Sequence, residues 1–218
     1  MRILVTVTAA LLLAATAQGA PVRRLALVVG ANQGAAGRVP LRYAVADAER
    51  FADLVSHIGG VAPSDTVILR DPTRRALADA LTAIGQRVGE ARAGAPHVEV
   101  IVYFSGHADD QGLMLGRETM LYRDLRDAIQ ALHADVGITI LDACASGAIT
   151  RLKGGRNHPA FLSGTPGDVQ GYAFLTSSSE TEAAQESERL GGSFFTHALV
   201  SALRGAADMT GDGRVASR

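Results

Sequence analysis

Runs of apolar, β-branched residues alternate along this chain with segments whose apolar positions recur every three to four residues. Leu25–Val29 is a continuous apolar run ending at Gly30, which predicts a central strand buried on both faces. The Gly- and Ala-rich stretch from Ala31 to Pro40 predicts a loop. Between Tyr43 and His57, the residues Val45, Ala48, Phe51, Ala52 and Val55 fall at helical spacing, and Gly59-Gly60 supplies the stop. Thr66–Leu69 reads as a short strand, and Asp71-Pro72-Thr73 opens a helix to about Val88. A second long strand leads to His107, and Gly112–Gly116 with Thr119–Leu121 predicts a small hairpin. Tyr122–Leu132 is helical in pattern, and Gly137–Leu141 is again a strand. Ala148–Asp168 carries Gly, Pro, Asn and basic residues without a period and reads as a long loop. Tyr172–Thr176 is a further strand and Ser193–Leu203 the last helix. Strands separated by helices predict an α/β fold with a largely parallel sheet covered on both faces. No internal repeat and no second domain is visible.

The first twenty residues follow a different grammar. Met1-Arg2 gives a short positive start, Ile3–Ala15 is almost wholly apolar, and Ala17-Gln18-Gly19 offers small residues for cleavage. This predicts a signal peptide over residues 1–20, a domain over 21–218, and a secreted or periplasmic protein without a stable membrane anchor. A buried N-terminal element is the alternative. The chain of 218 residues is 47% hydrophobic with a formal charge of −1, and it has no tryptophan. Such a balance argues against an electrostatic nucleic-acid binder or a base-stacking platform. It holds one cysteine, so no internal disulfide is possible. A lone thiol is a liability in an oxidising compartment, which favours a chemical role for it.

Two stretches share one design. Val98–Phe104 runs into Ser105-Gly106-His107, and Gly137–Leu141 runs into Asp142-Ala143-Cys144. Functional groups of parallel sheets collect beyond the carboxyl ends of the strands, so an imidazole and a thiol are expected side by side. That is a Cys-His nucleophilic pair, with Cys144 attacking and His107 taking its proton. The bland reading makes Cys144 a small buried hydrophobe and His107 a satisfied loop histidine. Asp142 lies two residues before Cys144, and on an extended chain such residues share a side. A carboxylate there discourages thiolate formation until a cation arrives, and a substrate Arg or Lys is the obvious cation. Alternatively Asp142 holds its own turn. Arg151, Lys153 and Arg156 sit within a dozen residues of Cys144, so a peptidase accepting basic residues would be expected to cleave itself after one of them, a solvated uncut loop being the alternative. Gly30, Gly34 and Gly37 lack the spacing of a dinucleotide-binding turn. Asp208, Thr210, Asp212 and Gly213 match the opening of a calcium loop, but its closing acid would fall beyond Arg218. A polar turn is therefore expected, with calcium kept open.

Tyr103-Phe104-Ser105-Gly106-His107 and Leu141-Asp142-Ala143-Cys144-Ala145-Ser146-Gly147 resemble the two motifs of the caspase-like cysteine peptidases (family C14, clan CD). They are more like the metacaspase and bacterial caspase-homologue branch than the animal caspases, since the Gln-Ala-Cys signature is missing. The resemblance extends from the Leu25 strand to the Phe194-Phe195-Thr196 helix. It implies a three-layer α/β/α fold, a cysteine endopeptidase acting on peptide or protein substrates, and no required cofactor. It also implies an oxyanion hole from the backbone N–H groups of Cys144 and Ala108, where the family usually has glycine. Asp142 and Ser105 match residues that line a basic P1 pocket in metacaspases. The further acid that the family takes from the loop after the first strand is absent from Ala31-Asn32-Gln33-Gly34. Asp47 matches a motif aspartate, with a structural role expected for it. The family pattern also continues past Gly213-Arg214-Val215, so a C-terminal segment is expected beyond Arg218. Two other functions remain: a catalytically silent caspase-like binding or regulatory module, and a thiol hydrolase of non-peptide esters or amides. No oligomeric state follows.

Overall fold

The computed structural model of the chain describes residues 21–34, 37–144, 149, 171–177, 185–208 and 210–212. Five parallel strands form the main sheet: β1 (Val22–Ala31), β2 (Thr66–Arg70), β3 (His97–Gly106), β6 (Val136–Asp142) and β7 (Gly171–Thr176). Their spatial order is β2-β1-β3-β6-β7. The chain thus runs from β1 to one side and then crosses to the other, which makes the carboxyl ends of β1 and β3 the switch point of the sheet. A crevice for ligands opens at such a point.

Side chains on β1 divide the core into two layers. Leu25, Leu27 and Val29 pack with Leu77, Leu81, Ile84 and Val88 of α2 (Arg74–Ala91) and Leu125 and Ile129 of α3 (Tyr122–Gln130). Ala26 and Val28 face Ala48, Phe51 and Val55 of α1 (Ala44–His57) and Val200 of α4 (Phe194–Ser201). Burial on both faces is why β1 reads as an unbroken apolar run rather than an alternating one. Tyr103 of β3 stacks on Phe51 of α1, with ring centroids 4.3 Å apart. The architecture is the expected three-layer α/β/α sandwich.

Element boundaries move where charge or capping overrides the apolar pattern. β1 starts at Val22 rather than Leu25, because Arg23 and Arg24 lie in the strand and pair with Asp65 and Glu99. Thr73 caps α2 by accepting the Ala76 N–H at 3.1 Å, and the helix continues past Val88 to Ala91. Ser193 caps α4 in the same way, accepting the Thr196 N–H at 2.9 Å. The expected hairpin is β4 (Gly112–Leu115) with β5 (Glu118–Leu121). A second pair, β8 (Glu186–Ser187) with β9 (Gly192–Ser193), has two residues per strand and leaves no periodic trace in the sequence. Residues 1–20, and the expected loop of 148–168 apart from Ile149, lie outside the described residues. Among the described residues no helix is long and apolar enough to cross a membrane.

Candidate active site

Strands β3 and β6 pair in parallel with Ser105 opposite Asp142. The paired register ends there, and His107 and Cys144 each follow two residues further on, beyond the carboxyl ends of these neighbouring strands. The backbone just before the thiol is fixed from β7: the Ala143 N–H donates to Ser177 Oγ at 3.0 Å, and the Ser177 N–H to the Leu141 carbonyl at 2.9 Å. Cys144 itself is half-buried.

His107 is buried and held from the loop that follows β1. Its Nε2 lies 3.0 Å from the Val39 carbonyl. A carbonyl oxygen only accepts, so Nε2 carries the proton and donates it, leaving Nδ1 with a lone pair. Gly34 of the same loop lies against the ring: a Cβ there would come within 2.6 Å of His107 Cδ2. Burial holds the His107 pKa below its usual value, and nearby Arg38 adds to the effect. The Val39 hydrogen bond and Glu186 pull the other way without cancelling it. Neutral imidazole, the form able to take a proton, is therefore favoured near neutral pH.

Ala108 sits opposite Leu113 in a short antiparallel bridge. The Asp109 N–H donates to the Gly112 carbonyl at 3.1 Å and the Met114 N–H to the His107 carbonyl at 2.9 Å. These bonds flank the Ala108–Leu113 pair, so the Ala108 N–H points away from β4. Among the described residues only Asp71 and His133 are non-glycine residues with positive φ. Ala108 thus needs no left-handed backbone, and alanine fits this position without strain.

Asp142 is buried and, among the described residues, its carboxylate is bonded to the start of α4. Its Oδ2 accepts the hydroxyls of Ser193 and Thr196, the latter at 2.6 Å. Thr196 spends its proton on Asp142, so the Tyr103 hydroxyl donates to Thr196 Oγ1. Two hydroxyls thus donate directly to the carboxylate, in bonds strengthened by its charge, and the Tyr103 hydroxyl joins them through Thr196. The other oxygen, Oδ1, is buried with no hydrogen-bond partner among the described residues. Ser105 is buried and lies opposite Asp142 in the sheet.

Asp47 takes the structural role expected of it. Its Oδ2 accepts the Ser193 N–H at 2.8 Å, tying α1 to the start of α4. Burial, partly offset by the Ser193 bond, pushes its pKa up to about 6. Between the ordinary 3.8 and about 6 the folded chain binds the proton that the unfolded chain has released. Stability from this group therefore falls as pH rises through that window, by about 3 kcal/mol in all. Asp47→Asn keeps an acceptor for Ser193 and removes the titration. Urea unfolding should show the variant gaining about that much over wild type between pH 4 and pH 7. A constant difference across this range would mean that the Asp47 carboxyl titrates normally.

Several features had no sequence signal. A backbone carbonyl such as that of Val39 is common to every residue type. Gly34 lies in a loop with several small residues, and Ser193 and Thr196 approach Asp142 from more than fifty positions away. Arg151, Lys153 and Arg156 lie outside the described residues. In the C-terminal turn, Asp208 Oδ1 accepts the N–H groups of Thr210 at 3.3 Å and Gly211 at 2.7 Å. Among the described residues no group of three His, Cys, Asp or Glu side chains is placed to hold a metal ion.

A parallel α/β sandwich with a histidine and a cysteine at adjacent strand ends defines the architecture of a caspase-like peptidase domain. The family model described as Caspase domain, of the C14 peptidases, matches residues 23–212, and the chain belongs to that family. No curated protein matches the chain.

Proposed function

We propose that the chain is an active cysteine endopeptidase that cleaves after Arg or Lys. Cys144 Sγ attacks the substrate carbonyl carbon while its proton passes to Nδ1 of His107. The carbonyl oxygen, now negative, is met by the backbone N–H groups of Cys144 and Ala108. His107 then hands the proton to the departing amine as the C–N bond breaks, leaving a thioester. Water, deprotonated by His107, attacks the thioester and releases the acid and the thiol. The observation that carries this reading is the β3–β6 register, together with the His107–Val39 bond that leaves Nδ1 open for the thiol.

The basic preference rests on Asp142. A buried carboxylate oxygen without a partner is costly, and a guanidinium or ammonium would satisfy it. Ser105 would contribute its hydroxyl to the same pocket. An acidic P1 residue would set carboxylate against carboxylate. The chain would be exported by its first twenty residues, which leaves its only thiol for chemistry.

Self-processing follows from the same specificity, because Arg151, Lys153 and Arg156 are close to Cys144 along the chain. A panel of peptide reporters differing only at P1, assayed beside mass spectrometry of the purified protein, tests both ideas. Turnover of Arg and Lys reporters, with a wild-type cut after one of the three residues that is absent from Cys144→Ala, is expected. Cuts in both proteins would come from a contaminating protease. An active, uncut wild type would sink the processing idea alone, and no turnover of any reporter would sink the peptidase.

A further inference from the structure

The loop that carries Val39 and Gly34 to His107 is tied down at its start from a different strand. Asp71 follows β2, and its Oδ1 accepts two consecutive backbone N–H groups, Asn32 at 2.7 Å and Gln33 at 3.1 Å. Its own N–H donates to the Gly30 carbonyl at 2.8 Å. Asn32 in turn passes the constraint onward. Its carbonyl accepts the Leu41 N–H at 2.8 Å, closing the loop, and its Oδ1 accepts the Val45 N–H at 3.1 Å. The loop between Asn32 and Leu41 is thus clamped at both ends, with Val39 and its carbonyl just inside the far end.

Asp71 adopts φ 44°, a left-handed backbone that glycine takes freely and aspartate only at some cost. Such a conformation persists where surrounding contacts over-determine it. Here it turns the carboxylate back from β2 onto the end of β1, at the β1–β3 switch point where His107 sits. Nothing else on β2 reaches this loop by a hydrogen bond among the described residues.

We propose that Asp71 is a positioning residue for His107, holding the loop so that the Val39 carbonyl stays against Nε2 and Gly34 stays against the ring. The consequence for the thiol rests on the peptidase reading, but its measurement does not. With the Val39 bond intact, His107 keeps the proton on Nε2 and presents Nδ1 as a base, and the bond stabilises imidazolium when a second proton arrives. Once the loop is released, His107 becomes a weaker and poorly oriented base. The thiol then lacks an oriented acceptor for its proton. Arg38 on the loop and Glu186 on β8 are the charged groups that act on His107, and both remain unchanged in the test.

Cys144 is the only cysteine, so the pH dependence of its alkylation by iodoacetamide reports this pair alone. Asp71→Gly keeps the backbone conformation accessible and removes the carboxylate. Its alkylation midpoint should rise by about one pH unit over wild type, and kcat/KM for an Arg reporter should fall about tenfold. Asp71→Asn, which retains an oxygen acceptor and tolerates φ 44°, should recover most of both. Thermal melting checks the fold, and Asp71→Ser is read in the same way where the glycine variant does not fold. An unchanged midpoint in a folded variant, with or without a lower melting temperature, overturns the proposal and leaves Asp71 as a loop cap. A shifted midpoint in a protein whose wild type cleaves no peptide upholds the positioning role and defeats the peptidase reading alone.

Discussion

Cys144→Ala and His107→Ala should each lower kcat/KM for an Arg reporter by at least about a thousandfold, and the double variant should lose little more than either one. In the proposed mechanism proton acceptance and attack are one event shared by two side chains, so removing the second after the first would delete nothing further. Both variants should stay folded. Cys144 is half-buried, and its truncation to alanine removes a single sulfur atom. His107→Ala releases the Val39 carbonyl, but the loop keeps its ties to Asp71 and to Val45. Steady-state kinetics beside circular dichroism checks both halves of the expectation. Additive losses would mean that the two groups act in separate steps. Full turnover by Cys144→Ala would assign the chemistry to another residue.

Asp142→Asn should be the most damaging change outside that pair. Asparagine keeps the shape and one carbonyl oxygen for the Ser193 and Thr196 hydroxyls, so α4 retains its anchor. What disappears is the negative charge. Losing one member of a desolvated ion pair to the substrate costs about 2–5 kcal/mol, which lowers turnover of basic substrates from about thirtyfold to a few thousandfold. Neutral P1 reporters should change far less. The ratio of the two rates is the informative quantity, because a general loss of active-site order lowers both together. An unchanged ratio would make Asp142 an anchor for α4 and nothing more.

Whatever is encoded locally was legible before the structure. Leu25–Val29 and Val98–Phe104 announce central strands because both faces are covered, and the last apolar residue of each strand tells where the sheet ends. His107 and Cys144 stand out because each follows such an end, and the Asp-Ala-Cys and Ser-Gly-His motifs point to one family. The surrounding support was hidden for a physical reason. Asp71 meets Asn32 and Gln33 across nearly forty residues, and Asp142 meets Thr196 across 54. Such contacts arise only when β2 or α4 docks on the sheet. The same holds for Arg23 and Arg24, whose charges mask the start of β1 until their partners Asp65 and Glu99 are in place. Ala108 runs the other way: a residue suspect beside the family's glycine becomes ordinary once its bridge to Leu113 is seen.

The central claim is that Cys144, activated by His107, is the nucleophile that attacks a bound chain carrying a basic residue. Covalent capture measures it directly. The protein is incubated with a peptidyl-arginine acyloxymethyl ketone and with its aspartyl counterpart, and the cysteine peptide is read by mass spectrometry. The account predicts stoichiometric modification at Cys144 by the arginyl probe, little by the aspartyl probe, and neither in His107→Ala. Equal labelling by both probes, or arginyl labelling that survives the loss of His107, would contradict it.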